Sequence, residues 1–93
     1  MKRYLVKCTG IAKDTNPNFA NMESVFYYGK RERTVAHLGN YAKEVHSEMP
    51  LNAYMIGEYG YTRKCDAHRS SILKLPKETK YWKYDYEIVD YEV

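Results

Sequence analysis

Between Trp82 and Ile88 the chain alternates without a break: Trp82, Tyr84, Tyr86 and Ile88 fall on one side, and Lys83, Asp85 and Glu87 on the other. A period of two is the mark of a strand with one face buried. Aromatic and β-branched side chains suit a pleated surface, so propensity points the same way. Beyond Ile88 the phase inverts, with Val89, Tyr91 and Val93 as the apolar set and Asp90 and Glu92 as the polar one. A β-bulge after Ile88 would exchange the two faces in this manner, and one is expected there. Such a strand needs partners, and the upstream residues supply them.

Tyr4 to Ile11 reads as a first strand, with Tyr4, Val6 and Cys8 facing one way. Residues 13–18 (Lys-Asp-Thr-Asn-Pro-Asn) form a loop, because Asn, Asp and Pro favour turns and break ladders. Ser24 to Tyr28 is apolar on both sides and suits a strand away from the sheet edge; Gly29 ends it. Thr34 is placed to cap a helix over residues 34–47, whose stripe Val35, Leu38, Ala42 and Val45 has helical spacing. Gly39 inside it costs about 1 kcal/mol relative to Ala, and Pro50 stops it. Residues 52–61 read as a third strand, bent or split at Gly57 and Gly60. Thr62 is placed to cap a second helix over residues 63–75, with Cys65, His68, Ile72 and Leu73 inward. The expected fold is a single α+β domain over residues 1–93, in the order β-β-α-β-α-β. It is a four-stranded, mainly antiparallel sheet with two helices packed on one face.

The chain has 93 residues, and eleven of them are Tyr. At this length a large cofactor cavity would take up most of the core, and no cofactor is expected. No run approaches the ~18 apolar residues of a membrane span. Met1, Lys2 and Arg3 lead straight into strand-like sequence instead of a signal peptide. The expected setting is the cytoplasm, away from membranes, with Cys8 and Cys65 as thiols unless the fold brings them together. Net charge is +3, distributed as +4 over residues 1–33, −2 over 34–62, +5 over 63–83 and −4 over 84–93.

Candidates for chemistry are few. Cys65 near a helix start, with Arg63, Lys64 and His68 close by, has the setting that favours a thiolate. Cys65 and His68 share a helix face and could pair as nucleophile and base, or could simply pack. No local motif of a cysteine enzyme surrounds them, and no enzymatic activity is expected. Of Cys8, His37, His46, Cys65 and His68, only the Cys65/His68 spacing resembles a zinc knuckle, and no metal is expected. Glu44 and Glu48 read as a solvated face. Gly57-Glu58-Tyr59-Gly60 lacks the lysine and the spacing of a phosphate-binding loop.

The basic residues carry more information. Lys30, Arg31 and Arg33 follow the second strand, while Arg63, Lys64, Arg69 and Lys74 lie on or around the second helix. Tyr27, Tyr28, Tyr59 and Tyr61 lie near these clusters in sequence. Cations for phosphates and rings for bases are what single-stranded nucleic acid requires. Two separate solvated faces would give the same pattern. The acidic end, Asp85, Glu87, Asp90 and Glu92, reads either as an edge for docking a basic protein or as a guard against edge-to-edge aggregation.

In its general habit (short, rich in Lys and Tyr, without a catalytic motif) the chain resembles accessory proteins of bacteriophages and other mobile elements. Many of those, anti-CRISPR proteins among them, act by binding a host protein stoichiometrically. The resemblance spans the whole chain and implies no residue roles. It implies a non-catalytic binding protein whose partner is a protein or nucleoprotein complex, and which inhibits a host nucleic-acid-processing machine. The expected contact residues are Lys30, Arg31, Arg33, Tyr59, Tyr61, Arg63, Lys64 and Arg69. Direct binding of nucleic acid through the same surface is the alternative.

Overall fold

Strand pairing dominates the computed structural model, which describes residues 1–18, 22–39 and 57–93. Strand β1 (Lys2–Ala12) is central, between β2 (Glu23–Tyr28) and β4 (Trp82–Glu92), and β3 (Thr34–His37) lies outside β2. All neighbouring pairs are antiparallel, giving a four-stranded sheet in the order β3-β2-β1-β4. Among the described residues there is one α-helix, α1 (Lys64–His68), and there are two 3-10 turns, Lys30–Glu32 and Ser71–Lys74. Helix α1 packs on β1 and β4 and buries Ala67. None of these helices is long and apolar enough to cross a membrane.

The C-terminal strand forms as its alternation requires, but the bulge after Ile88 does not. The ladder with β1 runs unbroken from Lys2 opposite Glu92 to Ala12 opposite Trp82. The apolar phase inverts because the sheet is covered differently on its two faces. Trp82, Tyr84, Tyr86 and Ile88 share the front face with Val6, Cys8, Phe26 and Tyr28. Val89 and Tyr91 share the rear face with Leu5, Val25 and Tyr27, where Leu5, Val25, Tyr27 and Tyr91 form a buried cluster.

Residues 34–37 are strand, not the first turn of a helix; the remainder of the expected helix, from residue 40 on, lies outside the described residues. Strand β2 is apolar on both sides and pairs along both edges. The Val35/Leu38 spacing that reads as helical arises from a bulge. Tyr27 lies opposite Ala36 and Tyr28 opposite Thr34, which leaves Val35 as the extra residue. Val35, Ala36 and Leu38 all pack on the rear cluster.

Of the expected strand over 52–61, residues 52–56 lie outside the described residues, 57–60 form a turn, and only Tyr61 pairs, with Tyr4. The second helix is shorter than its pattern suggested. It stops at His68, and Ser70 opens a separate 3-10 turn by accepting a hydrogen bond from the Ile72 N–H at 3.2 Å. The residue at its N-cap is Arg63, not Thr62, and Cys65 and His68 point outward while Ala67 is buried. The β-β-α-β-α-β order is therefore not what the described residues display. Cys8 is buried, Cys65 is exposed, and both are free thiols.

One buried hydroxyl ties the irregular segment to the sheet. The Tyr91 oxygen accepts from the Gly60 N–H at 2.9 Å and donates to the Gly57 carbonyl at 2.9 Å. A Cβ on Gly60 would lie 2.6 Å from that oxygen, so only glycine fits. Tyr91→Phe strands a buried N–H and is expected to cost about 1–3 kcal/mol, read as a lower urea midpoint with an unchanged slope. Burial, and to a smaller degree Glu87, pushes the Tyr27 hydroxyl up to about 12 from its ordinary 10. Between those values the unfolded chain binds fewer protons than the folded one, so stability falls as pH rises through this window. Alkaline titration of stability is expected to be shallower there in Tyr27→Phe.

Candidate functional site

Two features stand out on the surface: a group of exposed cations and an aromatic cleft. The basic end begins where β2 stops. A Cβ on Gly29 would lie 2.2 Å from the Tyr59 carbonyl oxygen, so glycine is required for the two backbones to meet. There the Lys30 N–H donates to the Tyr59 carbonyl at 2.7 Å, and the Gly29 N–H to the Arg33 carbonyl at 3.0 Å. The turn between is tight enough to drive Arg31 (φ 61°) and Glu32 (φ 57°) into the left-handed region. For residues with side chains this costs about 1–2 kcal/mol each.

Glu32 holds that turn in place. Its carboxylate accepts from the Tyr61 hydroxyl at 3.2 Å, the Ser70 hydroxyl at 2.5 Å and the Ser71 N–H at 3.1 Å. Hydrogen bonds to a charged acceptor are among the stronger ones in proteins. The consequence is topological: the segment bearing Lys30, Arg31 and Arg33 is fastened to the one bearing Arg63, Lys64 and Arg69. Clusters about thirty positions apart in sequence thus occupy one end of the molecule. All six cations are exposed. Arg63 is engaged by Asp66 through two contacts, at 3.1 and 3.3 Å, which raise its already high pKa. Tyr59 is 55% exposed and lines a shallow hollow of about 330 Å³ with Arg33, Thr34 and Val35. Tyr61 is half-buried, and its hydroxyl is held by Glu32. Of the other two tyrosines near these clusters in sequence, Tyr27 is buried on the rear face and Tyr28 belongs to the cleft.

The cleft lies on the front face. Cys8, Phe26, Tyr28, Tyr84 and Tyr86 make its floor; Ile72, Leu75, Pro76 and Thr79 make its wall, around a volume of about 290 Å³. The wall segment is fixed at two points. The Tyr86 hydroxyl donates to the Pro76 carbonyl at 3.3 Å, and the Tyr84 N–H donates to the Lys77 carbonyl at 2.7 Å. Burial pushes the Tyr84 and Tyr86 hydroxyls up, with Cys8 adding to the effect, so both stay protonated as donors. Burial also pushes the Cys8 thiol up, which disfavours the reactive thiolate. The expected packing of two helices on one face gives no sign of this cleft. Gly10 was the available signal: mid-strand, it lets the Tyr84 ring lie where a Cβ would approach to 3.0 Å.

The acidic residues of β4 serve the sheet. Glu87 pairs with Lys7 and Asp90 with Lys2, each at 3.7 Å, and Glu92 with the Met1 amino group at 3.2 Å. Among the described residues no group of three or more His, Cys, Asp and Glu could hold a metal ion; His46, Glu44 and Glu48 lie outside them. Cys65 and His68 share a surface open to solvent. In comparisons with known protein families, curated proteins and solved structures, the chain matches none.

Glu32→Ala removes the clamp and leaves a strained turn unsupported. It is expected to lower stability by about 2 kcal/mol and to abolish hydrogen-exchange protection at the Ser71 amide, while the β1–β4 amides keep theirs.

Proposed function

We propose that this chain is a small non-catalytic binding protein that docks on a host nucleic-acid-processing complex, and inhibits it, through its basic end. The observation that supports this most is the Glu32 clamp, which joins two modest cationic clusters into one surface with exposed Tyr59 at its margin. A charged rim of this kind steers encounter and selects partners more than it adds affinity. The resemblance to phage and mobile-element accessory proteins supports stoichiometric action in the cytoplasm, where Cys8 and Cys65 remain thiols.

A second reading, direct binding of a nucleic acid strand, is favoured by a specific observation: a cleft lined by the rings of Phe26, Tyr28, Tyr84 and Tyr86 on the same molecule. Cations with stacking platforms are the two components of single-strand binding.

One experiment separates the two. The chain is used as bait in bacterial lysate, with and without nuclease, beside a Lys30→Glu, Arg33→Glu, Lys64→Glu, Arg69→Glu variant. Docking on a protein is expected to yield a single equimolar partner that survives nuclease and is lost in the variant. Capture that nuclease abolishes moves the conclusion to direct strand binding, with a log–log salt slope of about −0.7 per neutralised phosphate. Capture unaffected by the four reversals removes the basic end from either account.

A further inference from the structure

The front-face rings extend past the cleft in both directions. Phe26 lies on His37 with centroids 4.2 Å apart and planes 9° from parallel, and Tyr28 sits beside Phe26 at 6.3 Å and 28°. Across β1, Trp82 and Tyr84 are 6.4 Å apart and 14° from parallel. The row therefore runs across the strands, from His37 on β3 through Phe26 and Tyr28 on β2 to Tyr84 and Trp82 on β4. Phe26 and His37 are stacked face on face, whereas the Tyr84 and Trp82 rings lie over Gly10. Gly10 sits beneath the crossing point and keeps the floor low under Tyr84.

Size and charge narrow what could lie there. A volume of about 290 Å³ is at the small end of ligand sites, usually about 300–1,000 Å³. One ring system fits; a folded loop does not. None of the cleft's described lining residues is a carboxylate. Asp85 and Glu87 project from the rear face, and Glu78 is held by the Lys13 Nζ at 2.6 Å. The wall segment presents Lys74 and Lys77, both exposed. The Thr79 hydroxyl is engaged by the Trp82 backbone, accepting from its N–H at 3.1 Å. An apolar side chain of a protein partner would use the rings and leave the lysines idle. A planar base attached to a phosphate uses both.

We propose that this cleft is the seat for one base of a single-stranded nucleic acid, with the next base against Trp82 beside Tyr84 and phosphates beside Lys74 and Lys77. The proposal rests on the strand-binding reading above and adds where the bases go. Duplex is disfavoured, because a base must leave its stack to lie flat on the rings.

Trp82 is the chain's one tryptophan and reports on the row directly. Titration of the wild-type protein with a short oligothymidylate is expected to quench Trp82 emission in step with binding measured by anisotropy. Tyr84→Leu keeps apolar volume but removes a ring; with an unchanged circular dichroism spectrum it is expected to weaken binding about tenfold. Should that variant fail to fold, wild-type quenching together with a shallower salt slope in Lys74→Ala/Lys77→Ala decides. Binding without quenching, and with full affinity in Tyr84→Leu, would place the strand on the basic end alone; the cleft assignment then falls and the strand-binding reading stands. No binding at low salt overturns both. Equal affinity for thymidine monophosphate and the oligonucleotide overturns the strand as occupant. So does a nuclease-resistant protein partner whose capture depends on Tyr84.

Discussion

The unbroken register between β1 and β4 decides on which face each ring of β4 lies. Opposite residues of an antiparallel pair share a face, and a slip of one position would exchange the faces entirely. With Cys8 opposite Tyr86 and Leu5 opposite Val89, the register assigns each strand's residues to front or rear along its whole length. The inversion of apolar phase between Ile88 and Val89 is therefore not absorbed by the backbone. It appears as a change of face, so that the front is apolar toward Trp82 and the rear is apolar toward Tyr91. A sheet with two half-faces to cover cannot be a simple floor for helices on one side. On the front face the rings are left half-buried around a cleft.

A chain of this length has little core to draw on, and its irregular segments are held by polar pins. Tyrosine supplies three of them, because its ring can lie in the sheet while its hydroxyl reaches beyond. Tyr91 fastens residues 57–60, Tyr61 engages Glu32, and Tyr86 engages the Pro76 carbonyl. Two of these pins, from Tyr61 and Tyr86, position the proposed contact surfaces, so the tyrosine content is as much about placement as about burial. The left-handed pair Arg31 and Glu32 shows the same economy. The strained turn exists because the Glu32 carboxylate, with three donors converging on it, over-determines the local backbone.

What the sequence disclosed, and what it hid, follows from the range of each interaction. Alternation in Trp82 to Ile88 is local, and it reported a strand correctly; likewise the double-sided apolarity of Ser24 to Tyr28 reported an interior strand. The bulge was placed in the wrong strand, because a phase change has the same appearance whether the backbone or the cover changes. At Val35 and Leu38 a real bulge imitated helical spacing over the few residues available. The basic residues were legible one by one, but their union depends on Glu32 meeting Ser70 and Ser71 across almost forty positions, which no local pattern encodes. Residues 40–56 lie outside the described residues, and the readings that fall there stand as expectations.

Charge placement explains how a molecule of net charge +3 keeps several exposed cations clear of the acids of β4. The acids of β4 are interleaved with its apolar residues, and three of them meet cations of β1 or the chain's amino terminus. Exposed pairs of this type contribute only about 0–1 kcal/mol each to stability. Their larger effect is to neutralise one edge of the sheet. Where β2 stops, Glu32 is enclosed by hydroxyls and a backbone N–H, with no cation among those three donors, and Asp66 offsets Arg63 alone. Lys30, Arg31, Arg33, Lys64 and Arg69 thus face solvent together. A field there reaches only about a Debye length, roughly 8 Å in physiological salt, so the grouping matters more than the total. Separated along an extended chain these cations would be ordinary surface charges; the three hydrogen bonds of one carboxylate tie the segments that carry them together.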